Sequence, residues 1–225
     1  QLLEQGAAVW LLLQPAKHQS SHSRSVHPAV AAQLFPQLAR QYAEGSLAVT
    51  SAEQLATLAR WSLGEGAPQA CLSILRTAAA QQVALPAGDV VPLLSTAAAE
   101  DQPQLVLHLL ETCAGGYDLA WRLLKPLLTM HGNATGPFVS MHASVAGVLL
   151  PRLAEEVASG QQQLDSERLK LFVHKALAAQ QEGALAAILQ AAAQAQLQLS
   201  SEDAATAMGQ AVRLGAARSA AHLLK

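Results

Sequence analysis

The sequence predicts an all-α fold, an α-solenoid of helix-turn-helix repeats with a period of 35 residues. Two observations support this fold class. The chain is rich in Ala, Leu and Gln, which favour helices, and only 4% of its residues are aromatic. Residues 164–190 and 199–225 read as consecutive copies of one unit, with equivalent positions 35 residues apart. Helix pairs repeated at a fixed period are typical of α-solenoids.

The two C-terminal copies share one internal layout. Each opens with a residue that suits an N-cap, Asp165 or Ser200, followed by acidic residues in the first turn. A helix of about four turns follows, then a short polar break at 180–183 or 215–218, then a second helix. We therefore expect a C-terminal helical-repeat block over residues 164–225.

Residues 28–114 predict a first helical-repeat block with the same period. Pro28 suits the first turn of a helix, and Gly45 suits the position just beyond its end. Pro68 and Pro103 each open the second helix of a pair, and they are 35 residues apart. The expected helices of this block are 28–44, 51–63, 68–80, 87–99 and 103–113.

The period is lost in residues 115–163, which we expect to hold one or two degenerate repeats with an insertion. The spacing of leucines predicts a helix over 118–130, although Pro126 should distort it. Small and turn-forming residues predict a loop at 131–137. The remaining expected elements are a helix pair, 138–150 and 151–158.

Residues 1–27 predict an N-terminal helix over 2–14 followed by a polar linker. The linker carries three histidines whose spacing would allow them to share a metal ion. No Cys or acidic residue lies near them, so we expect a partner-binding arm and no metal site. The candidate residues of this arm are His18, His22, Arg24 and His27.

Charge and hydropathy exclude some classes of partner. The net charge of −2 gives no general attraction to nucleic acid or to an anionic membrane. No apolar run approaches the ~18 residues of a membrane helix, so we expect a soluble chain. Only 13% of residues are charged, which suits a subunit of a larger assembly. The chain begins at Gln1, which leaves room for a targeting segment or a further domain before it.

No reaction is predicted, and we expect no catalytic, cofactor or metal site. Cys71 and Cys113 are each predicted in a second helix among apolar neighbours, as buried thiols. Residues 132–136 contain two glycines but lack the Lys-Ser/Thr end of a phosphate loop. Ser140 and His142 are two residues apart on a predicted helix, so they point to different faces and form no dyad.

The three tryptophans and one pair of glutamates are expected to have structural roles. Trp10, Trp61 and Trp121 are expected in the core or between repeats. Glu155 and Glu156 are expected on a solvated helix face.

The helical repeats resemble pentatricopeptide repeats. The best match is Leu214-Gly215 followed by Ala220 and Leu223-Leu224, similar to the family's turn glycine, small residue and apolar pair. Tetratricopeptide repeats are the runner-up, but their Trp-Leu-Gly-Tyr pattern is not recognisable. Looser pentatricopeptide matches are Ala70 with Ile74 and Leu75, and Asp101 with Val106, Leu109 and Leu110.

The resemblance implies binding of single-stranded RNA, with one base read by each repeat. The main reading positions align with Leu55, Val91, Lys170 and Ala205, where base-reading members carry Asn, Ser or Thr. Three of these four side chains cannot hydrogen-bond to a base edge. Residues 85–116 also contain four acids and no Lys or Arg. We therefore expect no sequence-specific recognition, while contact with the phosphates of structured RNA stays open.

The resemblance also implies an organellar ribonucleoprotein, such as a mitochondrial ribosome, with mitochondrion favoured over chloroplast. We expect a non-enzymatic scaffold with protein partners and sequence-nonspecific RNA contacts, and no membrane or small-molecule partner. The alternatives are a free pentatricopeptide-type RNA-processing factor and a protein-binding tetratricopeptide-like adaptor. The candidate RNA contacts are Arg168, Lys170, Lys175, Arg213 and Arg218.

The last repeat has little polar cover. Its second helix, predicted over 216–225, is mostly Ala and Leu. Exposed apolar patches usually mark interfaces. We expect this repeat to be covered by a partner chain, by RNA or by residues beyond Lys225.

Overall fold

The computed structural model describes residues 27–113, 116–124 and 142–224. In these ranges the chain forms eleven α-helices and no β-strand, so the predicted all-α class is confirmed. The predicted helix 2–14, the loop 131–137 and Pro126 lie outside the described residues. The helices are α1 (Pro28–Ala43), α2 (Ala52–Gly64), α3 (Pro68–Ala80), α4 (Ala87–Ala99), α5 (Pro103–Thr112), α6 (Gly116–Leu124), α7 (Ala143–Ala158), α8 (Ser166–Ala178), α9 (Glu182–Gln194), α10 (Ser201–Arg213) and α11 (Ala217–Leu223).

Three helices begin at caps that the sequence indicates. Ser51, Asp165 and Ser200 each precede a helix, and their side chains accept a hydrogen bond from the backbone N–H three residues later. The three distances are 3.2, 2.7 and 3.1 Å. Such a cap stabilises a helix by about 1 kcal/mol. Each cap therefore fixes the residue at which its helix starts.

Most described helices end in a residue with left-handed backbone. After α8, Gln180 has φ 55°, and its N–H donates to the Leu177 carbonyl at 3.1 Å. The next N–H, of Gln181, donates to the Ala176 carbonyl at 2.8 Å. This pair of bonds is a Schellman motif, which turns the chain sharply out of the helix. Left-handed backbone follows other helices at Gly45, Gly66, Gln82, Asp101, Gly160, Gln196 and Gly215.

The chain divides into two compact units. Among the described residues, the first unit holds 27–97 and 111–113, and the second holds 98–110, 116–124 and 142–224. In the first unit, α3 packs against both α1 and α2. The rings of Phe35 and Trp61 meet edge to face at 5.1 Å, and Arg60 on α2 pairs with Asp89 on α4 at 3.5 Å.

The helices of the second unit alternate between two rows. Helix α8 packs against α6 and α10, and helix α9 packs against α7 and α11. The rows are joined because α8 also packs on α9, and α10 on α11. Phe172 of α8 and Ile188 of α9 are among the fully buried apolar side chains of this unit.

Helix α7 is one continuous helix, where the sequence predicts two helices that meet at Pro151. A proline inside a helix removes one N–H donor and costs about 3 kcal/mol. Here two leucines that flank the proline, Leu150 and Leu153, are fully buried. Tertiary burial therefore outweighs the local cost, as it does for α1 across Pro36 and α4 across Pro92.

Helix α7 also corrects the interpretation of its acidic pair. Glu155 is exposed and pairs with Arg152 at 3.1 Å, as expected of a solvated face. Glu156 is buried, because it follows the inward-facing Leu153 by three residues on the helix. The prediction that both glutamates are solvated is therefore wrong for Glu156.

The described tryptophans pack as predicted, and Trp10 lies outside the described residues. Trp121 is buried, and its ring lies 6.1 Å from the ring of Phe172. Trp61 is half-buried against Phe35.

Candidate functional site

The predicted arm is described only at its last residue. His18, His22 and Arg24 lie outside the described residues. His27 is exposed and caps α1, where its Nδ1 accepts a hydrogen bond from the Ala29 N–H at 3.3 Å. A partner-binding role of these four residues stays a prediction.

Arg168, a predicted RNA contact, lies in a cluster between α6 and α8. Its Nη2 pairs with Asp118 at 3.4 Å and its Nε pairs with Asp165 at 3.8 Å. Its Nη1 donates to the Gln163 carbonyl at 2.9 Å, and the guanidinium lies over the Trp121 ring at 5.4 Å. Arg168 is therefore already paired with two carboxylates of this chain, and an RNA phosphate would have to displace them.

The sequence does not indicate that Asp118 lies close to Arg168. Asp118 and Arg168 are fifty residues apart, and no repeat spacing relates them. Only the pairing of Asp165 with Arg168, three residues apart at the start of α8, follows from helix geometry.

Lys170 and Asp203 form an ion pair between the neighbouring helices α8 and α10, at 2.5 Å. The hydrogen bond to Asp203 is the main cause that raises the pKa of Lys170. The same bond lowers the pKa of Asp203, and the Ser200 hydroxyl, which donates to this carboxylate at 2.7 Å, lowers it further. Both partners therefore stay charged and neutralise each other.

A second polar contact joins the same two helices. His174 Nδ1 lies 3.2 Å from Gln210 Oε1, and Gln210 Nε2 donates to the His174 carbonyl at 3.5 Å. The neighbouring Lys175 is half-buried, and burial lowers its pKa because it removes water from the ammonium group. The contact between His174 and Gln210 therefore helps to hold α8 against α10.

Arg213 and Arg218 are the predicted RNA contacts that remain open to solvent. Both are exposed, and Arg213 Nε donates a hydrogen bond within the same stretch of chain, to the Gly209 carbonyl at 3.3 Å. Residues 204–224 contain no Asp or Glu. No carboxylate within this stretch therefore neutralises the two guanidinium groups.

Large apolar side chains are exposed on the same helix pair. Val212 is 68% exposed, Leu214 is 41% exposed and Leu224 is 79% exposed. These three side chains and those of Arg213 and Arg218 make up what we call the α10–α11 surface, although Val212 and Leu214, two residues apart, point to different sides of α10. It combines apolar side chains with positive charge, and we take it as the candidate binding site.

The aligned base-reading positions differ in their accessibility. Leu55 is buried in the first unit, and Lys170 is paired with Asp203. Val91 and Ala205 are exposed but carry no group that could hydrogen-bond to a base. None of the four therefore offers a free polar side chain to RNA.

The described residues hold no group of three or more His, Cys, Asp or Glu side chains that could bind a metal ion. Cys71 is buried, with its Sγ 3.5 Å from the Ala59 carbonyl, as predicted. Cys113 is half-buried, and burial raises the pKa of its thiol. None of the helices in the described ranges has the length and hydropathy needed to cross a membrane.

The chain matches no protein-family model, and no curated protein and no solved structure is significantly similar to it. The resemblance to pentatricopeptide repeats therefore stays a prediction.

Proposed function

We propose that this protein is a non-enzymatic helical-repeat scaffold that acts as a binding subunit of a larger assembly. The observation that carries the proposal is a difference in exposure between equivalent residues. Leu177 in α8 is 1% exposed, whereas Val212, which lies 35 positions later in α10, is 68% exposed. A partner that stacked on α10 as α10 stacks on α8 would bury Val212 in the same way.

The helix bounds support the repeat architecture within this proposal, an α-solenoid with pentatricopeptide-like repeats. Helices that begin a pair start 35 residues apart, and so do the helices that complete it. The two alternating rows of the second unit fit such a stack. The equivalent starts are Ala52 and Ala87, Pro68 and Pro103, Ser166 and Ser201, and Glu182 and Ala217.

The apolar part of the α10–α11 surface is large enough to matter for binding. Full burial of an aliphatic side chain contributes about 1.5–3 kcal/mol. Weighted by their exposed fractions, Val212, Leu214 and Leu224 offer roughly 3–6 kcal/mol before the costs of association. That free energy changes a dissociation constant by about 100-fold or more.

The proposed setting is an organellar ribonucleoprotein, such as a mitochondrial ribosome, and it rests on the pentatricopeptide resemblance. Within it, Arg213 and Arg218 would contact RNA phosphates without reading sequence wherever a protein partner does not pair with them, because both are exposed and residues 204–224 contain no carboxylate. Arg168 and Lys170 would contribute less, since each already pairs with a carboxylate.

An RNA-binding assay separates this proposal from its two alternatives. The purified chain is titrated with unrelated single-stranded RNAs at several salt concentrations. The scaffold predicts weak binding that is blind to sequence and is lost at high salt. Tight, selective binding would instead support a free pentatricopeptide-type RNA-processing factor. No binding at all would support a purely protein-binding, tetratricopeptide-like adaptor.

Sedimentation tests the scaffold itself. A tagged copy of the chain, expressed in its source organism, should sediment with a large assembly on a sucrose gradient. Val212→Asp should move a substantial fraction of the protein to the top of the gradient. The matched control is Val30→Asp, a substitution of an exposed valine in the first unit. A wild-type protein that sediments as a free monomer would sink the proposal.

A further inference from the structure

We propose that the occupant of the α10–α11 surface is an amphipathic helix of a partner protein that carries carboxylates beside its apolar stripe. This inference rests on the proposed scaffold function and adds the chemistry of the partner.

The shape of the surface favours a helix as its occupant. Helix α8 carries Lys170 and His174 on the side that meets α10. The residues 35 positions later, Ala205 and Gly209, are small and exposed on α10. A Cβ added at Gly209 would meet nothing within 4 Å, so the side of α10 at this residue is open. Small residues at a helix surface allow a second helix to approach closely.

The charge of the surface favours an acidic occupant. Inside this chain, two ion pairs join a cation on one helix to an aspartate in the first turn of the helix after the next. Arg60 pairs in this way with Asp89, the third residue of α4, and Lys170 with Asp203, the third residue of α10. A helix that continued the row beyond α10 would bring its first-turn carboxylate opposite Ala205 and Gly209, which correspond in position to Lys170 and Arg60, and the exposed Arg213 lies one helical turn beyond Gly209.

A second copy of this chain and an RNA both fit the surface less well than an acidic helix. A second copy packed through its own α10–α11 surface would place Arg213 and Arg218 of both copies together, and like charges repel. RNA would use the two arginines but would leave Val212 and Leu224 without an apolar partner. An acidic amphipathic helix would offer apolar side chains to the valine and leucines of the surface and carboxylates to its arginines.

Synthetic peptides test the inference on the whole 225-residue chain. The probe is a helical peptide of about 18 residues, long enough to form a helix, with leucines at i, i+3, i+4 and i+7 and flanking glutamates. The comparison peptide carries lysines in place of the glutamates. Fluorescence anisotropy measures both dissociation constants. We expect the acidic peptide to bind at least about tenfold more tightly than the basic one.

Matched variants assign the binding to the surface. Arg213→Glu combined with Arg218→Glu should reverse the preference between the two peptides, whereas Val212→Asp should weaken both. Arg76→Glu combined with Arg122→Glu replaces two other exposed arginines and should change neither constant. Val30→Asp is the control for Val212→Asp. All these positions are exposed, and thermal melting checks that each variant folds.

The remaining outcomes overturn the inference. Equal binding of the two peptides, or none, would show that the surface has no preference for an acidic helix. Binding of an unrelated RNA 20-mer that is lost in the arginine variant but kept in Val212→Asp would identify RNA as the occupant. Concentration-dependent self-association that Val212→Asp abolishes would identify a second copy. The peptide results leave the scaffold standing, since the sedimentation experiment and the titration with unrelated RNAs address that function.

Discussion

Replacement of Ile188 by aspartate should unfold the second unit at neutral pH. Ile188 is 0% exposed in α9, a helix that packs against α7, α8 and α11. Loss of the buried side chain costs about 2–5 kcal/mol. The introduced carboxyl adds about 4 kcal/mol at pH 7, because its protonation costs 1.36 kcal/mol for each pH unit above its ordinary pKa. The sum of roughly 6–9 kcal/mol is comparable with the whole stability of a domain.

The destabilisation by Ile188→Asp should depend on pH, because much of it comes from a buried carboxylate. Burial raises the pKa of the introduced carboxyl above its value in the unfolded chain. The folded form is then favoured below the unfolded pKa of about 4, and that advantage is lost as pH rises towards the raised folded value. The variant should therefore regain up to about 4 kcal/mol relative to wild type between pH 7 and pH 4.

Thermal and urea melts at both pH values measure this effect by circular dichroism. Ile188→Val should cost about 1 kcal/mol at either pH. Leu224→Asp, at an exposed position, should cost almost nothing. An Ile188→Asp protein with the melting temperature of wild type would refute the helix packing around α9. A penalty that did not shrink at pH 4 would refute the burial of its charge.

Two further predictions concern a helix end and a helix contact. Gln180→Gly should stabilise the protein by about 0.5–1 kcal/mol, because Gln180 has left-handed backbone with φ 55°. Gly215→Ala, at φ 67°, should cost about 1 kcal/mol, and both effects appear as shifts of a few degrees in melting temperature. Asp203→Asn should lower the melting temperature slightly at pH 7, and the difference should shrink only as pH falls from about 4 through the lowered pKa that Asp203 has in the fold. A melting-temperature difference that did not shrink at all as pH falls from 7 to 2 would exclude the ion pair with Lys170 as its cause.

Local sequence chemistry predicts helix starts well. Asp165 and Ser200 cap α8 and α10 as expected. The cap depends only on a side-chain oxygen and on the unpaired N–H groups of the first helical turn, and these groups are neighbours in the sequence. Helix ends were predicted mainly at glycines. Gln82, Gln180 and Gln196 adopt the same left-handed backbone without any glycine signal. There the next residue in each case donates a backbone hydrogen bond to a carbonyl near the end of the helix, which is a feature of the backbone and leaves no mark in the residue types.

Prolines inside helices mark the limit of local prediction. The expected break at Pro151 does not occur, because the apolar side chains around it are buried together. The buried Glu156 has the same origin, since the width of a buried helix face depends on how many neighbours cover it. Neither feature can be read from one segment alone.

The candidate site was half predictable. The scarcity of polar cover on residues 216–225 indicated exposed apolar surface, and Leu224 is indeed exposed. The use of Arg168 and Lys170 by the chain itself was not predictable, because Asp118 and Asp203 reach them through packing between helices. Charge counts along a sequence show how many cations exist and not how many are free.

The α10–α11 pair buries fewer large apolar side chains than α8 does, and this links its stability to its proposed function. The buried residues of α10 are Ala207 and Ala211, and the buried residue of α11 is Ser219. Helix α8 instead buries two leucines, a phenylalanine, a valine and an alanine. Because apolar stabilisation scales with buried area, the small residues of α10 and α11 contribute much less. Segments with few buried apolar contacts open at low free energy, and a ligand that binds only the folded form stabilises it. A partner on the α10–α11 surface would therefore both gain a binding site and supply the apolar contacts that this helix pair lacks.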